Sequence, residues 1–287
     1  MIDTTKAHPI KVPAIQSIMA YLYPKRTDCE VYAQDKIDVT ELVKYLEKKN
    51  SEQDDVKITL FHCVVLAVAR MIKERPVLNR FVQGWRYFER EVISLSFVIK
   101  RRFKDGAEES LMVFVPKDDD TIDSVSRKIV GNVDEVRKSE HATGGIDKVL
   151  ENFAKIPRPI LAFVIRIIRY LDFWGHTPHA LTDGDPDYTT VLLSNLGSIK
   201  GPAIYHHLNN YGTNSILATI GTLYKEEVFM PDGTKQVRDM LDIGVTLDER
   251  IGDGFYFVKS LKLLHYIFAN PELLDKPLSE PSGFDYG

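Results

Sequence analysis

Side chains able to move a proton or attack a carbonyl are few in this sequence and widely spaced. The eight His include one adjacent pair, His206 and His207. Neighbouring side chains on a strand point to opposite faces, so one of the two would face inward. There it would serve either packing and hydrogen bonding or proton transfer, because imidazole titrates near neutral pH. Cys29 and Cys63 are the only cysteines and lie in apolar or strand-like surroundings. They supply neither a disulfide framework nor a metal spacing, and reduced, buried thiols in a cytoplasmic protein are expected. No His, Cys and carboxylate set has the separations of a zinc site, so no metal is expected. Ser194 stands before Asn195, Leu196 and Gly197, a setting in which a hydroxyl commonly serves a strand-end turn.

The elements that must position these residues follow from periodicity. Asp28 to Asp38 alternates as a half-buried strand, with Cys29, Val31, Ala33 and Ile37 toward one side. A helix begins at Thr40, which could cap it. From Val56 to Arg75 apolar residues cover more than half of a helix circumference, which predicts the central buried helix, stopped by Pro76. Phe88 to Lys100 and Leu111 to Pro116 read as a hairpin around the charged tip Arg101 to Glu109. Thr121 to Arg137 is an amphipathic helix, and Gly144-Gly145 breaks the chain after it. Ile160 to Phe173 is strongly apolar but about 14 residues long, short of the roughly 20 needed to cross a bilayer. It is either buried or at a subunit interface, or else a lid over an acyl chain or an interfacial membrane helix. Strands follow at Thr189 to Leu193 and Ser215 to Thr222. A hairpin turns at Met230 to Thr234, and a last helix spans Gly254 to Ala269.

Strands and helices mix without a βαβ rhythm, an internal repeat or a low-complexity linker, which favours one α+β domain with a mixed sheet. With 44% hydrophobic and 27% charged residues, the chain has an ordinary globular composition. Its formal net charge of -4 gives no overall basic field to attract nucleic acid or an anionic membrane. The N-terminal stretch Met1 to Ala14 lacks the apolar core of a signal peptide.

Three segments in order resemble one family. D-I-G-V-T-L-D-E-R-I-G-D-G, from Asp242 to Gly254, is similar to the strand and catalytic loop of dihydrolipoyl acyltransferases and chloramphenicol acetyltransferases, whose pattern is D-H-R-x-x-D-G or H-H-x-x-x-D-G. Asp248, Arg250, Asp253 and Gly254 match the first form. C-E-V-Y-A-Q-D-K-I-D-V-T-E-L near the N-terminus resembles that family's strand and helix start. S-N-L-G, I-Y-H-H-L-N-N-Y-G and I-L-A-T-I-G within Leu193 to Gly221 resemble the segment that carries its transition-state hydroxyl.

The resemblance implies an α+β fold of the chloramphenicol acetyltransferase-like kind, a two-layer sandwich with a mixed sheet and flanking helices. It implies one acyltransferase-like domain over residues 1–287, without a lipoyl or peripheral-subunit-binding domain. It further implies a homotrimer with its site between subunits, CoA or acyl-CoA as co-substrate, an unknown thiol, hydroxyl or amine acceptor, and no permanently bound cofactor. The continuation of the chain past N-P-E-L-L argues against a larger cage.

By the same resemblance, Ser194 would hydrogen-bond the tetrahedral oxyanion, with Asn195 beside it, and Asp253 would hold the loop through an N-terminal arginine, for which Arg26 is the candidate. One departure stands at the centre: the motif histidine, which acts as general base, is replaced by Glu249. A carboxylate is a weak base for a thiol or alcohol unless burial strengthens it. Glu249 could therefore be an ion-paired, silent residue, a direct or water-relayed base, or the centre of an altered reaction such as thioester hydrolysis. Two functions follow. One is CoA-dependent acyl transfer; the other is a catalytically inactive homologue serving as a trimeric scaffold or binding protein. His206 and His207 are the candidate substitute bases.

Overall fold

The computed structural model describes residue 3 and residues 5–52, 55–100, 109–138 and 155–287. The hairpin tip Arg101 to Glu109 is described only at Glu109, and the break at Gly144-Gly145 lies outside the described residues.

A helix that is apolar all round must be covered all round. This holds for α3 (Leu60–Glu74), where every residue from His62 to Ile72 is buried. Thr59 caps it through a reciprocal pair with His62, and Pro76 follows its end. α3 packs with α2 (Thr40–Ser51), α4 (Ile122–Lys138) and α7 (Gly254–Ala269), forming the helical layer. The C-terminal tail closes over α3. The buried Arg70 donates to the carbonyls of Lys276, Pro277 and Glu280, and Glu74 accepts from Ser282.

The second layer is a mixed sheet. Its strands are β2 (Glu30–Asp38), β5 (Leu95–Lys100), β6 (Glu109–Phe114), β7 (Val191–Asn195), β8 (Ile216–Ile220), β9 (Tyr224–Phe229) and β10 (Lys235–Asp248). The order is β2-β10-β8-β7-β5-β6, with β9 paired to the first half of β10. β5, β7 and β8 run parallel and the other pairings are antiparallel. A small antiparallel sheet of β1 (Ala7–Pro9), β3 (Arg80–Gln83) and β4 (Arg86–Arg90) lies apart. One apolar core runs from Ile37 to Leu278. The α+β two-layer sandwich with flanking helices is thus the observed architecture.

Several local expectations change. Thr40 lies inside α2 rather than at its cap. Asp38 accepts from the Thr40 amide, while the Thr40 hydroxyl accepts from the Asp239 amide. Phe88 to Lys100 is two strands in two sheets. The chain bends between Arg90 and Leu95, where buried Ser94 bonds Thr190 and buried Arg90 bonds the 188–213 region. β2 is the edge of its sheet, so Val31 remains exposed although Ile37 is buried. Among the described residues the apolar helix α5 (Arg158–Phe173) has only Asp172 buried, and a single further turn, α6 (His179–Thr182), follows it. Cys29 and Cys63 are free and buried.

Candidate active site

The end of β10 delivers the segment Asp248–Gly254 into a turn held by buried charge. Asp248 is fully buried and receives two hydrogen bonds from the Arg250 guanidinium, at 2.8 Å and 2.6 Å. The third nitrogen of the Arg250 guanidinium donates to the Tyr23 carbonyl at the end of α1 (Ala14–Leu22), at 2.9 Å. Arg26, also buried, stands with Nε 3.7 Å from Asp248 and donates to the carbonyls of Asn209 and Gly212. Burial works against the charge of both arginines. The short bonds to Asp248 outweigh it for Arg250, whereas the longer approach leaves Arg26 with a lowered pKa. Arg26 therefore pairs with Asp248 and not, as expected, with Asp253. Asp253 instead caps α7 by accepting from the Tyr256 amide at 2.8 Å, and Gly254 begins the helix.

Glu249 sits on this frame with its amide bonded to the Cys29 carbonyl and its side chain exposed. No ion pair or hydrogen bond joins its carboxylate to any described residue. The neighbouring Cys29 thiol is pushed up to about 11 by burial, which removes it as a nucleophile near neutral pH.

Ser194 lies at the far end of the sheet. It is opposite Thr219, which is opposite Gly244, and Glu249 follows five residues later along β10. At the rise of an extended strand this separates them by roughly 16 Å along the sheet. The turn after Ser194 is fixed by backbone contact. A Cβ at Gly197 would collide with the Gly221 carbonyl, and Asn195 accepts from the Ser198 amide. The Ser194 hydroxyl bonds to no described residue and is only partly buried.

His206 and His207 are not on a strand. They lie on the segment that returns from β7 to β8 across the sheet, where Ile204 rests on Gly244 and bonds the Thr219 hydroxyl. Both are exposed, their rings lie tilted to each other with centroids 4.8 Å apart, and each Nδ1 meets the next residue's carbonyl rather than Glu249. The sheet argument for an inward ring fails because glycines let this loop lie flat over the strands.

A network that the sequence did not disclose supports the site from behind. Asp172 accepts from Tyr188 at 2.6 Å and from the Gly212 amide, while buried Arg90 donates to Tyr188, Thr189 and Thr213. Burial, then Arg26, lowers Arg90 to about 9. Burial raises Asp172, Asp185 and Asp187, with Asp185 reaching about 7. The alternating acids Asp183, Asp185 and Asp187 were the only sequence signal for it.

That network fixes a pH dependence. Between the ordinary carboxylate range near 4 and about 7, the folded state keeps a proton on Asp185 that the unfolded chain has lost. Stability therefore falls as pH rises through that window and levels off above it. The melting temperature should drop by about 5 °C from pH 5 to pH 8. Asp185→Asn should flatten this slope and raise the pH 8 value, as read by calorimetry.

Comparison with known proteins bears on the fold. Residues 12–137 match the family 2-oxoacid dehydrogenases acyltransferase (catalytic domain). The chain is 26% identical over 241 residues to the lipoamide acyltransferase component of the branched-chain alpha-keto acid dehydrogenase complex of Bacillus subtilis (strain 168). That match takes in 80% of this chain but 45% of the relative, so the chain spans about half the length of the curated protein it matches. Among solved structures, a probable dihydrolipoamide acetyltransferase from Listeria monocytogenes 4b F2365 superposes with a TM-score of 0.60 at 17% identity, over 98% of each chain. A chloramphenicol acetyltransferase does so with a TM-score of 0.54 at 14% identity, covering 94% of this chain and all of the other. At these identities the structural likeness shows the fold.

Proposed function

Because this chain is a homologue of the 2-oxoacid dehydrogenase acyltransferase catalytic domain built on the chloramphenicol acetyltransferase-like fold, we propose that it is a CoA-dependent acyltransferase whose base is Glu249. The observation that carries this reading is an exposed carboxylate bonded to no described residue, held on a turn whose other charges are committed, Asp248 and Arg250 buried against each other and the exposed Asp253 capping α7.

The step runs as follows. The Glu249 carboxylate takes the proton from an acceptor thiol, hydroxyl or amine as that atom bonds to the thioester carbonyl carbon. Ser194 donates a hydrogen bond to the oxyanion. Collapse breaks the carbon–sulfur bond, and the proton on Glu249 passes to the departing CoA sulfur. Asp248 and Arg250 act by fixing the turn.

Ser194 and Glu249, some 16 Å apart on one chain, cannot share one carbonyl. The site is then made of Ser194 from one subunit and Glu249 from the next, in a closed ring of three. The cavity beside Arg90 and the one beside Arg26 include neither Ser194 nor Glu249 in their lining.

The test is calorimetric titration of the purified protein with CoA and with acyl-CoAs of increasing chain length, alongside mass by light scattering. The expected result is three times the chain mass and saturable binding at micromolar concentration. A trimer that binds no acyl-CoA would instead be the inactive scaffold.

A further inference from the structure

The hairpin between β3 and β4 turns through Gly84 and Trp85, both with positive φ, of 56° and 61°. The second place of such a turn favours Gly, and a Trp there is held in a costly backbone conformation. What holds it is aromatic contact on both sides. Tyr21 of α1 stacks on Trp85 at 5.4 Å, and Phe173 and Trp174 at the end of α5 meet it edge-on at 4.9 Å and 5.7 Å. Trp85 thereby joins two apolar helix faces that point away from the core.

On α5 the exposed face is a stripe at helical spacing: Ile160, Phe163, Ile167, Tyr170 and then Trp174 just past the helix. Phe163 is 61% and Tyr170 66% exposed. Leu161, Val164, Ile168 and Leu171 form a second, half-buried stripe, and Asp172 anchors the helix to Tyr188. On α1, Ile15, Ile18, Tyr21 and Leu22 are exposed in the same way.

The margin of this surface is basic. From residue 155 to 182 the charged residues other than His are Lys155, Arg158, Arg166 and Arg169, all exposed, and Asp172, which is buried. Between Thr5 and Thr27 there is no acidic residue, and exposed Lys11 and Lys25 flank α1. Exposed Ile and Phe edged by Tyr and Trp, with Arg and Lys alongside, is the composition of a helix that lies in a lipid headgroup layer.

We propose that the face formed by α1, Trp85 and α5 docks on an anionic phospholipid bilayer. The chain as a whole carries a charge of -4, so the attraction is local to this margin. The cavity behind Trp85, against Arg26 and Arg250, measures about 40 Å³, room for little more than a water molecule. No described helix is long and apolar enough to cross the membrane, so the contact is peripheral. Arg250 of the motif turn bonds the Tyr23 carbonyl at the end of α1, which brings that turn beside the docking face. A membrane-resident amphiphile as acyl acceptor follows only if the acyltransferase reading holds; docking does not depend on it.

The full-length protein should co-sediment with vesicles of phosphatidylcholine mixed with phosphatidylglycerol, and far less with phosphatidylcholine alone. Phe163→Glu with Ile167→Glu should lower the partition coefficient by roughly tenfold or more. Arg166→Glu with Arg169→Glu should weaken it comparably, and high salt should mimic that pair. All four positions are exposed, so melting temperatures should be unchanged. Wild-type protein that ignores anionic vesicles, or variants that bind as wild type does, would overturn the proposal. So would a fall in assembly mass in the Phe163 and Ile167 variant without vesicle binding by the parent, which would assign the face to a subunit contact. Acyl-CoA binding is read separately, so each reading can fail alone.

Discussion

Glu249→Gln lowers kcat/KM for acyl transfer by about 10²–10⁴-fold and leaves the melting temperature unchanged. The amide keeps the size and exposure of the side chain and removes only its capacity to accept a proton. Nothing in the fold leans on that carboxylate, because none of the described residues pairs with it. Ser194→Ala costs roughly 10²-fold by removing an oxyanion donor, also without loss of fold. Co-expressing the two variants separates the shared site from a site within one chain. If Ser194 and Glu249 come from adjacent subunits, random trimers contain intact sites at about one quarter of the wild-type number, and activity returns to about that level. If one chain supplied both, mixing would restore nothing. The roughly 16 Å between them along the sheet makes the first outcome the expected one under the proposed function.

How far the sequence disclosed this arrangement depended on whether the controlling interaction was local. α3, α4 and α7 were legible because their apolar spacing and stop signals lie within each helix; Pro76 and the Asp253–Gly254 start mark two of the ends. The motif turn was legible as a string, but its wiring was not. Arg26 meets Asp248 through a fold that brings residues more than two hundred apart together, and no spacing rule predicts that. The path of His206 and His207 was hidden for a related reason. An extended polar segment reads as a strand, whereas Gly221 and Gly244 let it cross the sheet face instead. The net charge of -4 concealed the basic margin of α5 because a sum over the chain carries no position.

The largest loss of stability should come from Asp248→Asn, about 3–5 kcal/mol, or a fall of about 10 °C in melting temperature. Asp248 is fully buried and is the counter-charge for two buried arginines, Arg250 at 2.6 Å and Arg26 at 3.7 Å. Asparagine preserves the shape and can still accept one bond. It leaves both guanidinium groups in a low-dielectric setting without that compensation, and removing one partner costs more than the pair itself contributes. The double variant Asp248→Asn with Arg250→Met should therefore be less destabilised than the sum of the single changes, by 1 kcal/mol or more in a cycle measured by urea unfolding (about 1 kcal/mol being ordinary for groups in contact). An additive result would mean that Arg250 is compensated elsewhere, for which the structure offers only the neutral Tyr23 carbonyl. Activity should fall in the double variant even where folding recovers. Glu249 lies between the two changed residues, and its direction is set by the bonds that tie Asp248 to Arg250 and Arg250 to α1.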